Sequence, residues 1–206
     1  MKKITTFIFS LLACLGAWAQ YQPSEEVLKS RKDFQDDKFG IFIHWGIYSM
    51  IGHGEWVMDK EAINYKEYTH LADGFYPSKF NAEEWVKAFK AAGAKYITFT
   101  SRHHDGFSMF KTATSNYNIV DGTPFKRDVL KELADACQKH GMKLHVYYSH
   151  AEWNRLDYPQ GWSAMRTGRP RDKENYDSYL KFMKQQLTEI LTNYGPVRCI
   201  WFDGHW

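Results

Sequence analysis

This sequence has few cysteines, no long apolar run and little net charge, and each of these features excludes a class of protein. Of its three cysteines, Cys137 and Cys199 lie in apolar elements far apart along the chain, which is typical of core packing rather than of a disulfide. No Cys-x-x-Cys pair indicates a zinc site, and no apolar run is long enough to cross a bilayer. The fold is therefore expected to depend on its hydrophobic core.

The charge of the chain is close to balanced. Lys and Arg number 27 against 24 Asp and Glu, a formal net charge of +3. This balance argues against a nucleic-acid partner, which would need a clustered basic face. Aromatic residues make up 17% of the chain; their rings suit either stacking on the C–H faces of a sugar or the filling of a core. Composition leaves those two roles open.

The N-terminus has the features of a secretion signal. Two lysines precede an apolar stretch at residues 4–16, and residues 17–19 form an A-x-A cleavage site, so residues 1–19 are predicted to be a signal peptide. A lipoprotein signal at Cys14 is the weaker alternative, because Leu15 and Gly16 continue the apolar stretch. Residues 20–206 are then expected to be exported to a periplasm or beyond, without a transmembrane segment.

Four strand-like runs recur along the chain at roughly fifty-residue spacing. Each is apolar or β-branched and bounded by polar residues or glycine, as expected of strands buried on both faces; they are residues 40–45, 96–101, 143–149 and 197–202. Helical patterns at residues 81–92, 127–140 and 173–193 separate the four strands. Strand and helix alternating in this way predict an α/β fold with a parallel sheet.

Loop lengths favour a barrel over an open sheet. The loops that follow the strands are long, at residues 46–80, 102–126 and 150–172, whereas the loops from helix to strand are short. This asymmetry is typical of a (β/α)8 TIM-like barrel with its function on one rim, and no glycine-rich phosphate loop follows the first strand. The chain is expected to be a truncated, N-terminal half of such a barrel.

Polar side chains occupy the carboxyl end of every predicted strand. His44 follows the first, His103 and His104 follow the second, Tyr148 ends the third and Asp203 follows the fourth. In a parallel sheet these ends meet at one rim, which favours a functional site. A metal site is disfavoured, since adjacent residues of an extended strand face opposite ways and His103 and His104 would not chelate one ion.

Several segments together resemble the α-L-fucosidases of glycoside hydrolase family 29. They are FGIFIHWG at 39–46, GEW at 54–56, SRHHDGF at 101–107 and WFDG at 201–204. The resemblance runs from about Ser24 to the last residue, in order and at barrel spacing.

The resemblance implies a barrel enzyme that removes terminal α-L-fucose from fucosylated glycans with retention and without a metal or other cofactor. Asp203 matches the family's nucleophile, and the residues matching the fucose pocket are His44, Glu55, Trp56, His103, His104, Tyr148 and Trp201. The family's acid/base carboxylate lies beyond the nucleophile strand, so it is not expected in this chain. Glu152 and Asp157, in the loop after the third strand, are weaker candidates for that role.

Two other classes of function remain open at this point. A non-catalytic fucose-binding protein would keep the pocket without the chemistry, although a lectin does not require a carboxylate such as Asp203. A metal-dependent barrel hydrolase would use the histidines and Asp203 as ligands. Oligomeric state, linkage preference and natural glycan cannot be read from the sequence.

Overall fold

Four parallel strands form the sheet of this protein. The computed structural model describes residues 21–159, 161, 163 and 165–204. The strands are β1 (Gly40–Ile43), β2 (Tyr96–Arg102), β3 (Lys143–Ser149) and β4 (Val197–Asp203), and they pair in the order β1-β2-β3-β4. The predicted α/β class, with four parallel strands and intervening helices, is confirmed. The predicted signal peptide at 1–19 and Cys14 lie outside the described residues.

Helices occupy most of the connections between strands. They are α1 (Glu25–Asp37), α2 (Val57–Lys60), α3 (Tyr65–Thr69), α4 (Ala82–Ala91), α5 (Val129–His140) and α6 (Tyr176–Asn193). The three helices predicted between the strands are confirmed as α4, α5 and α6. The loop predicted at 46–80 also contains α2, α3 and two 3-10 turns, Ile47–Met50 and His70–Gly74. All four of these elements are too short for their sequences to show a helical period.

Side-chain caps explain where the three main helices begin. Asn81, Asp128 and Asn175 each accept a hydrogen bond from the backbone N–H three residues later, which satisfies one of the unpaired donors of a helix N-terminus. α5 ends at Gly141, whose φ of 66° is left-handed, a conformation that glycine adopts without steric cost.

The described residues fall into two compact units, one up to Asp36 and one from Asp37 onward. In the described part of the first unit, α1 buries no residue and carries exposed ion pairs between Lys29 and Asp33 and between Lys32 and Asp36. Pairs of this spacing add only a few tenths of a kcal/mol each to a helix. The domain prediction of 20–206 stays a prediction.

The second unit has its core between the sheet and the helices. Ile97, Phe99 and Val146 of the central strands are fully buried, and α5 buries Val129, Leu130, Leu133, Ala134, Ala136 and Cys137. Burying each large apolar side chain contributes about 1.5–3 kcal/mol. Cys137 and Cys199 are free thiols, as predicted. Within the described residues, no helix has the length and apolar character needed to cross a membrane.

Candidate active site

Asp203 is the last residue of β4 and lies at the edge where all four strands end. Its Oδ2 accepts a hydrogen bond of 2.7 Å from the Tyr147 hydroxyl, and its Oδ1 accepts one of 2.7 Å from the backbone N–H of Gly204. Tyr147 lies on the neighbouring strand β3, in register with Trp201. The carboxylate is thus fixed in orientation while its side chain remains 29% exposed, so it can be reached from outside.

His103 and His104 lie side by side, contrary to the expectation from strand geometry. β2 ends at Arg102 after a register shift between Thr100 and Arg102, and the next residues form a turn closed by a hydrogen bond of 3.1 Å from the Gly106 N–H to the His103 carbonyl. The two imidazole rings are 4.1 Å apart. The alternation rule does not apply, because these residues are no longer in an extended strand.

His104 is held between β3 and Asp203. Its Nδ1 is 2.6 Å from the Ser149 hydroxyl, and its Nε2 is 3.8 Å from Oδ2 of Asp203. Burial lowers the pKa of His104 to about 4, although the Asp203 carboxylate acts in the opposite direction. The imidazole is therefore neutral at pH 7.

His103 is enclosed by three aromatic rings. It stacks on Tyr147, with ring centroids 5.4 Å apart and planes 6° apart, and meets Tyr48 and His44 edge to face. Burial, together with the neighbouring His104 and His44, lowers the pKa of His103 well below its usual value. Like His104, it is therefore a neutral imidazole, which carries one donor and one acceptor nitrogen.

His44 and Glu55 approach the same place from the loop after β1. The His44 ring is exposed and lies 5.2 Å from the Tyr147 ring. Loss of water contact lowers the pKa of His44, and the carboxylates of Glu55 and Asp203 oppose this shift. The carboxylates of Glu55 and Asp203 therefore both lie close enough to His44 to influence its charge.

The two predicted tryptophans take up different positions. Trp56 packs edge to face on His104 and on Trp153, at centroid distances of 5.1 and 5.0 Å. Trp201 is 53% exposed and meets Phe42 at 5.4 Å. Trp56 therefore packs beside His104. Trp201, two residues before Asp203 on β4, presents an exposed apolar face.

Tyr148 is not brought to this cluster. Its hydroxyl donates a hydrogen bond of 2.8 Å to Gln186 of α6, and its ring lies against the guanidinium of Arg102 on the helix side of the sheet. The prediction of Tyr148 at the rim is corrected to Tyr147, because successive residues of a strand point to opposite faces. Sequence reasoning had the right strand and the wrong phase.

A buried polar layer behind the histidines was missed from the sequence. Arg102 and Glu152 form an ion pair with both side chains fully buried, and Glu152 also accepts from the backbone N–H groups of Asn154 and Arg155. A charged residue inside an otherwise apolar strand pattern was the available signal for Arg102, since such a charge must be paired. The layer connects the turn after β2 to the loop after β3.

Asp105 belongs to the same layer. It accepts hydrogen bonds from the Tyr68 hydroxyl at 3.0 Å and from the Phe107 N–H at 3.1 Å. Burial raises its pKa to about 6. Its role is to close the histidine turn, as a turn-forming aspartate does.

Neither weaker candidate for the acid is available at the rim. Glu152 is committed to Arg102, and Asp157 binds the Arg155 guanidinium and the Ser178 hydroxyl. Among the described residues, the cluster that could hold a metal ion is His103, His104 and Asp203.

A carboxylate fixed at the carboxyl end of a parallel strand, among histidines and aromatic rings, is typical of the functional rim of a barrel protein. Comparison identifies the family within that class. The profile of the alpha-L-fucosidase family matches residues 12–206, and the chain belongs to this family.

Individual relatives agree with the family assignment. The chain is 34% identical to human plasma alpha-L-fucosidase over 210 residues, which cover 90% of this chain and 42% of that protein. It is 31% identical to the alpha-L-fucosidase of Dictyostelium discoideum over 232 residues, which cover 100% of this chain and 49% of the relative. The chain spans less than half the length of these two relatives.

Solved structures of alpha-L-fucosidases have the same fold. Isoenzyme 1 from Paenibacillus thiaminolyticus matches with a TM-score of 0.80 at 37% identity, over 87% of this chain and 44% of that one. The enzyme from Lactobacillus casei in complex with alpha-L-fucose product matches with a TM-score of 0.76 at 34% identity, over 85% of this chain and 62% of that one. The four strands correspond to part of a TIM-barrel catalytic domain.

Proposed function

We propose that the protein is a retaining α-L-fucosidase in which Asp203 is the nucleophile. The observation that carries this proposal is the fixed orientation of Asp203, whose two oxygens accept from the Tyr147 hydroxyl and the Gly204 N–H. A retaining glycosidase needs an ionised carboxylate aimed at the anomeric carbon. Family membership supplies the sugar, because nothing in the geometry alone distinguishes fucose from a near-isosteric sugar.

The reaction proceeds in two displacements. Asp203 attacks the anomeric carbon, the bond to the leaving oxygen breaks, and that oxygen takes a proton from a second carboxylic acid about 5 Å from the nucleophile. Water then attacks the same carbon of the resulting glycosyl ester, the bond from that carbon to Asp203 breaks, and the proton of the water passes to the second carboxylate. Two inversions give overall retention.

The histidines are proposed to hold the ring for this attack. His44, His103 and His104 bind sugar hydroxyls as neutral imidazoles. His104 accepts through Nε2, because its Nδ1 proton is donated to the Ser149 hydroxyl. Glu55 accepts from a further hydroxyl. This assignment is supported by the lowered pKa values of the three histidines, since burial favours their neutral form.

Aromatic rings are proposed to bind the apolar parts of the sugar. Trp56 and Trp201 form walls for the C–H face and for the methyl group of a 6-deoxy sugar. Tyr147 replaces Tyr148 as the tyrosine of this site, because its ring packs against both His103 and His44. Its hydroxyl serves the nucleophile rather than the sugar.

The acid/base carboxylate is proposed to lie outside the described residues. Glu152 and Asp157 are each engaged by an arginine, and Glu55 is assigned to hydroxyl binding. The proposed substrate is a fucosylated glycan, which binds to the complete protein. No nucleic-acid partner is proposed.

Loss of Asp203 tests the mechanism. In the full-length protein, Asp203→Ala is expected to lower the hydrolysis of an aryl α-L-fucoside by several orders of magnitude, and azide is expected to restore part of it by attacking the vacated face of the anomeric carbon. Asp135→Ala is the matched control, because Asp135 lies on the exposed face of α5 in a pair with Lys131.

Three results would contradict the proposal in different ways. Activity retained by Asp203→Ala would move the nucleophile elsewhere. A parent protein that binds L-fucose without hydrolysing the aryl fucoside would be a fucose-binding protein. Activity lost on chelation and restored by added metal would make it a metal-dependent hydrolase.

Export is proposed from the first nineteen residues. Cleavage after Ala19 would leave a mature protein that begins at Gln20, and intact-mass measurement of the secreted form from the native host should give that terminus. A diacylated protein beginning at Cys14 would instead indicate a lipoprotein, and an uncleaved N-terminus would remove the export proposal.

A further inference from the structure

The nucleophile and the histidine pair form a set of donor atoms that suits a transition-metal ion. One donor atom from each of His103, His104 and Asp203 can be chosen so that all three lie within 4.8 Å of one another. Two imidazoles and one carboxylate are ligands that zinc, copper and cobalt accept. The retaining mechanism uses no metal, so this donor set has a capability that the reaction does not require.

Ser149 fixes which nitrogen of His104 can act as a ligand. The Ser149 hydroxyl has one proton, which it donates to the carbonyl of Ala151 at 2.7 Å. Its oxygen therefore accepts at Nδ1 of His104, 2.6 Å away, which places the imidazole proton on Nδ1 and the lone pair on Nε2. A hydrogen bond to the distal ring nitrogen is the usual way in which a metal-binding histidine is held.

The lone pair of His104 faces another acceptor. Nε2 lies 3.8 Å from the Asp203 Oδ2. Both atoms are hydrogen-bond acceptors, because a carboxylate has no proton to donate. Two ligands at the vertices of a tetrahedral zinc site are ~3.4 Å apart, so this pair needs to close by only about 0.4 Å. A cation between the two atoms turns an acceptor–acceptor contact into two favourable bonds.

His103 supplies a third ligand from within the same turn. Its side chain is 3% exposed, and its Nδ1 makes no hydrogen bond to any described residue. A buried ring nitrogen without a partner is costly, and binding a cation would relieve that cost. The turn that brings His103 beside His104, with ring centroids 4.1 Å apart, is what makes the ligand set compact.

We propose that His103, His104 and Asp203 bind one divalent transition-metal ion such as Zn²⁺, and that this ion and the sugar exclude one another. The bound ion takes the Asp203 oxygen that must attack the anomeric carbon. The ion is thus an inhibitor that competes with substrate. The competition rests on the proposed function, whereas the binding does not.

The binding is tested with Co²⁺ as a spectroscopic probe. The full-length protein, freed of metal with a chelator, is titrated with Co²⁺ while its visible absorption is followed, and Zn²⁺ is then added as a competitor. We expect one Co²⁺ per chain, displaced by Zn²⁺, with L-fucose raising the apparent Kd for the metal. Zn²⁺ should raise the KM for an aryl α-L-fucoside without changing kcat.

Variants separate this site from adventitious surface binding. His104→Gln and Asp203→Asn remove a ligand, and Ser149→Ala removes the support of His104, which typically costs 10–100-fold in metal affinity. His53→Gln and His70→Gln are matched controls, since these exposed histidines lie 3.5 and 3.0 Å from Glu61 and Asp73 and would bind metal if the surface did. Both controls should retain full Co²⁺ binding.

Asp203→Asn also distinguishes the loss of a metal ligand from misfolding. The substitution is nearly isosteric, so the folded variant should still bind L-fucose. Loss of Co²⁺ binding with L-fucose binding retained supports the site. Equal Co²⁺ binding in the ligand variants and the parent overturns it. Zn²⁺ bound at the site without effect on fucoside hydrolysis overturns the exclusion alone, and activity that requires Zn²⁺ would show the ion to be a cofactor instead of an inhibitor.

Discussion

Tyr147 and Tyr148 are identical neighbours whose hydroxyl groups serve opposite faces of the sheet. Tyr147 donates to Asp203 at the rim, and Tyr148 donates to Gln186 of α6 in the layer behind it. Both rings are fully buried, so burial does not distinguish them. Removing one hydroxyl at a time therefore separates a contribution to the site from a contribution to the fold.

The prediction at this scale is a matched pair of substitutions. Tyr147→Phe removes a hydrogen bond to a charged group, worth ~1.5–3 kcal/mol, and should lower kcat/KM on an aryl α-L-fucoside about 10- to 100-fold. Tyr148→Phe leaves the buried Gln186 amide oxygen without its donor, which should lower the free energy of unfolding by ~1–3 kcal/mol while kcat/KM stays close to that of the parent.

Steady-state kinetics and urea unfolding on the same preparations check both halves. If Tyr148→Phe lost the greater part of the activity and Tyr147→Phe did not, the assignment of Tyr147 to the rim would be wrong.

The sequence could not distinguish the roles of two adjacent residues of the same type, Tyr147 and Tyr148. The strand period identified β3 and the presence of a tyrosine at its end. It could not give the phase, because both faces of a strand in a parallel α/β sheet are buried. His44 and Asp203 were easier to predict, since each follows a run of apolar residues and its neighbours are not polar side chains of the same kind.

The turn that follows β2 depends on one glycine. Gly106 has a φ of +78°, and a Cβ at that position would lie 2.8 Å from the Glu152 Oε2. Glu152 cannot move aside readily, because it is fully buried and paired with Arg102. The positions of His103 and His104 therefore depend on the absence of a side chain two residues later.

We predict that Gly106→Ala displaces the histidine pair. The left-handed conformation alone costs ~1–2 kcal/mol, and the clash with Glu152 adds to it; a shift of about 1 Å in the histidines would lower kcat/KM by about 10²-fold. Gly141→Ala is the control, because Gly141 is also left-handed but an added Cβ there meets nothing within 4 Å.

Thermal unfolding and kinetics of the two variants distinguish strain from displacement. Both should be destabilised, and Gly106→Ala alone should lose activity. Full activity in Gly106→Ala would mean that the histidine turn tolerates rearrangement.

Regular elements were predictable and irregular ones were not. Asn81, Asp128 and Asn175 cap helices whose apolar stripes show a helical period, so local chemistry and long-range packing agree. The register shift before Arg102 and the turn at His103 lie beside a buried ion pair between segments fifty residues apart. No local pattern encodes that pairing, and the expectation that the two histidines diverge was wrong because these residues lie in a turn.

Buried histidines give the whole molecule a common response to acid. His145 stacks on Tyr96 with centroids 4.3 Å apart, and burial lowers its pKa to about 4; the pKa values of His103 and His104 are lowered as well. In the unfolded chain these histidines bind protons near pH 6.5, whereas in the folded protein they bind protons only at lower pH. Stability is therefore complete above pH 6.5 and falls as the pH drops towards 4.

His145→Gln should weaken this dependence. Urea midpoints measured from pH 7 to pH 4 should fall less steeply for the variant than for the parent, because one group no longer binds a proton on unfolding. The exposed His70, whose pKa is raised by its hydrogen bond to Asp73, provides the control: His70→Gln should leave the loss of stability below pH 6.5 in place. Parallel curves for His145→Gln and the parent would contradict the assignment.

The sheet order β1-β2-β3-β4 is also the order of synthesis. Each strand pairs with the one that left the ribosome just before it, and chains emerge at roughly 5–20 residues per second, which is slow compared with the closing of a loop. Assembly of these four strands can therefore advance unit by unit during translation. Asp203, on the last of these strands, meets in Tyr147 a hydrogen-bond donor that was made before it.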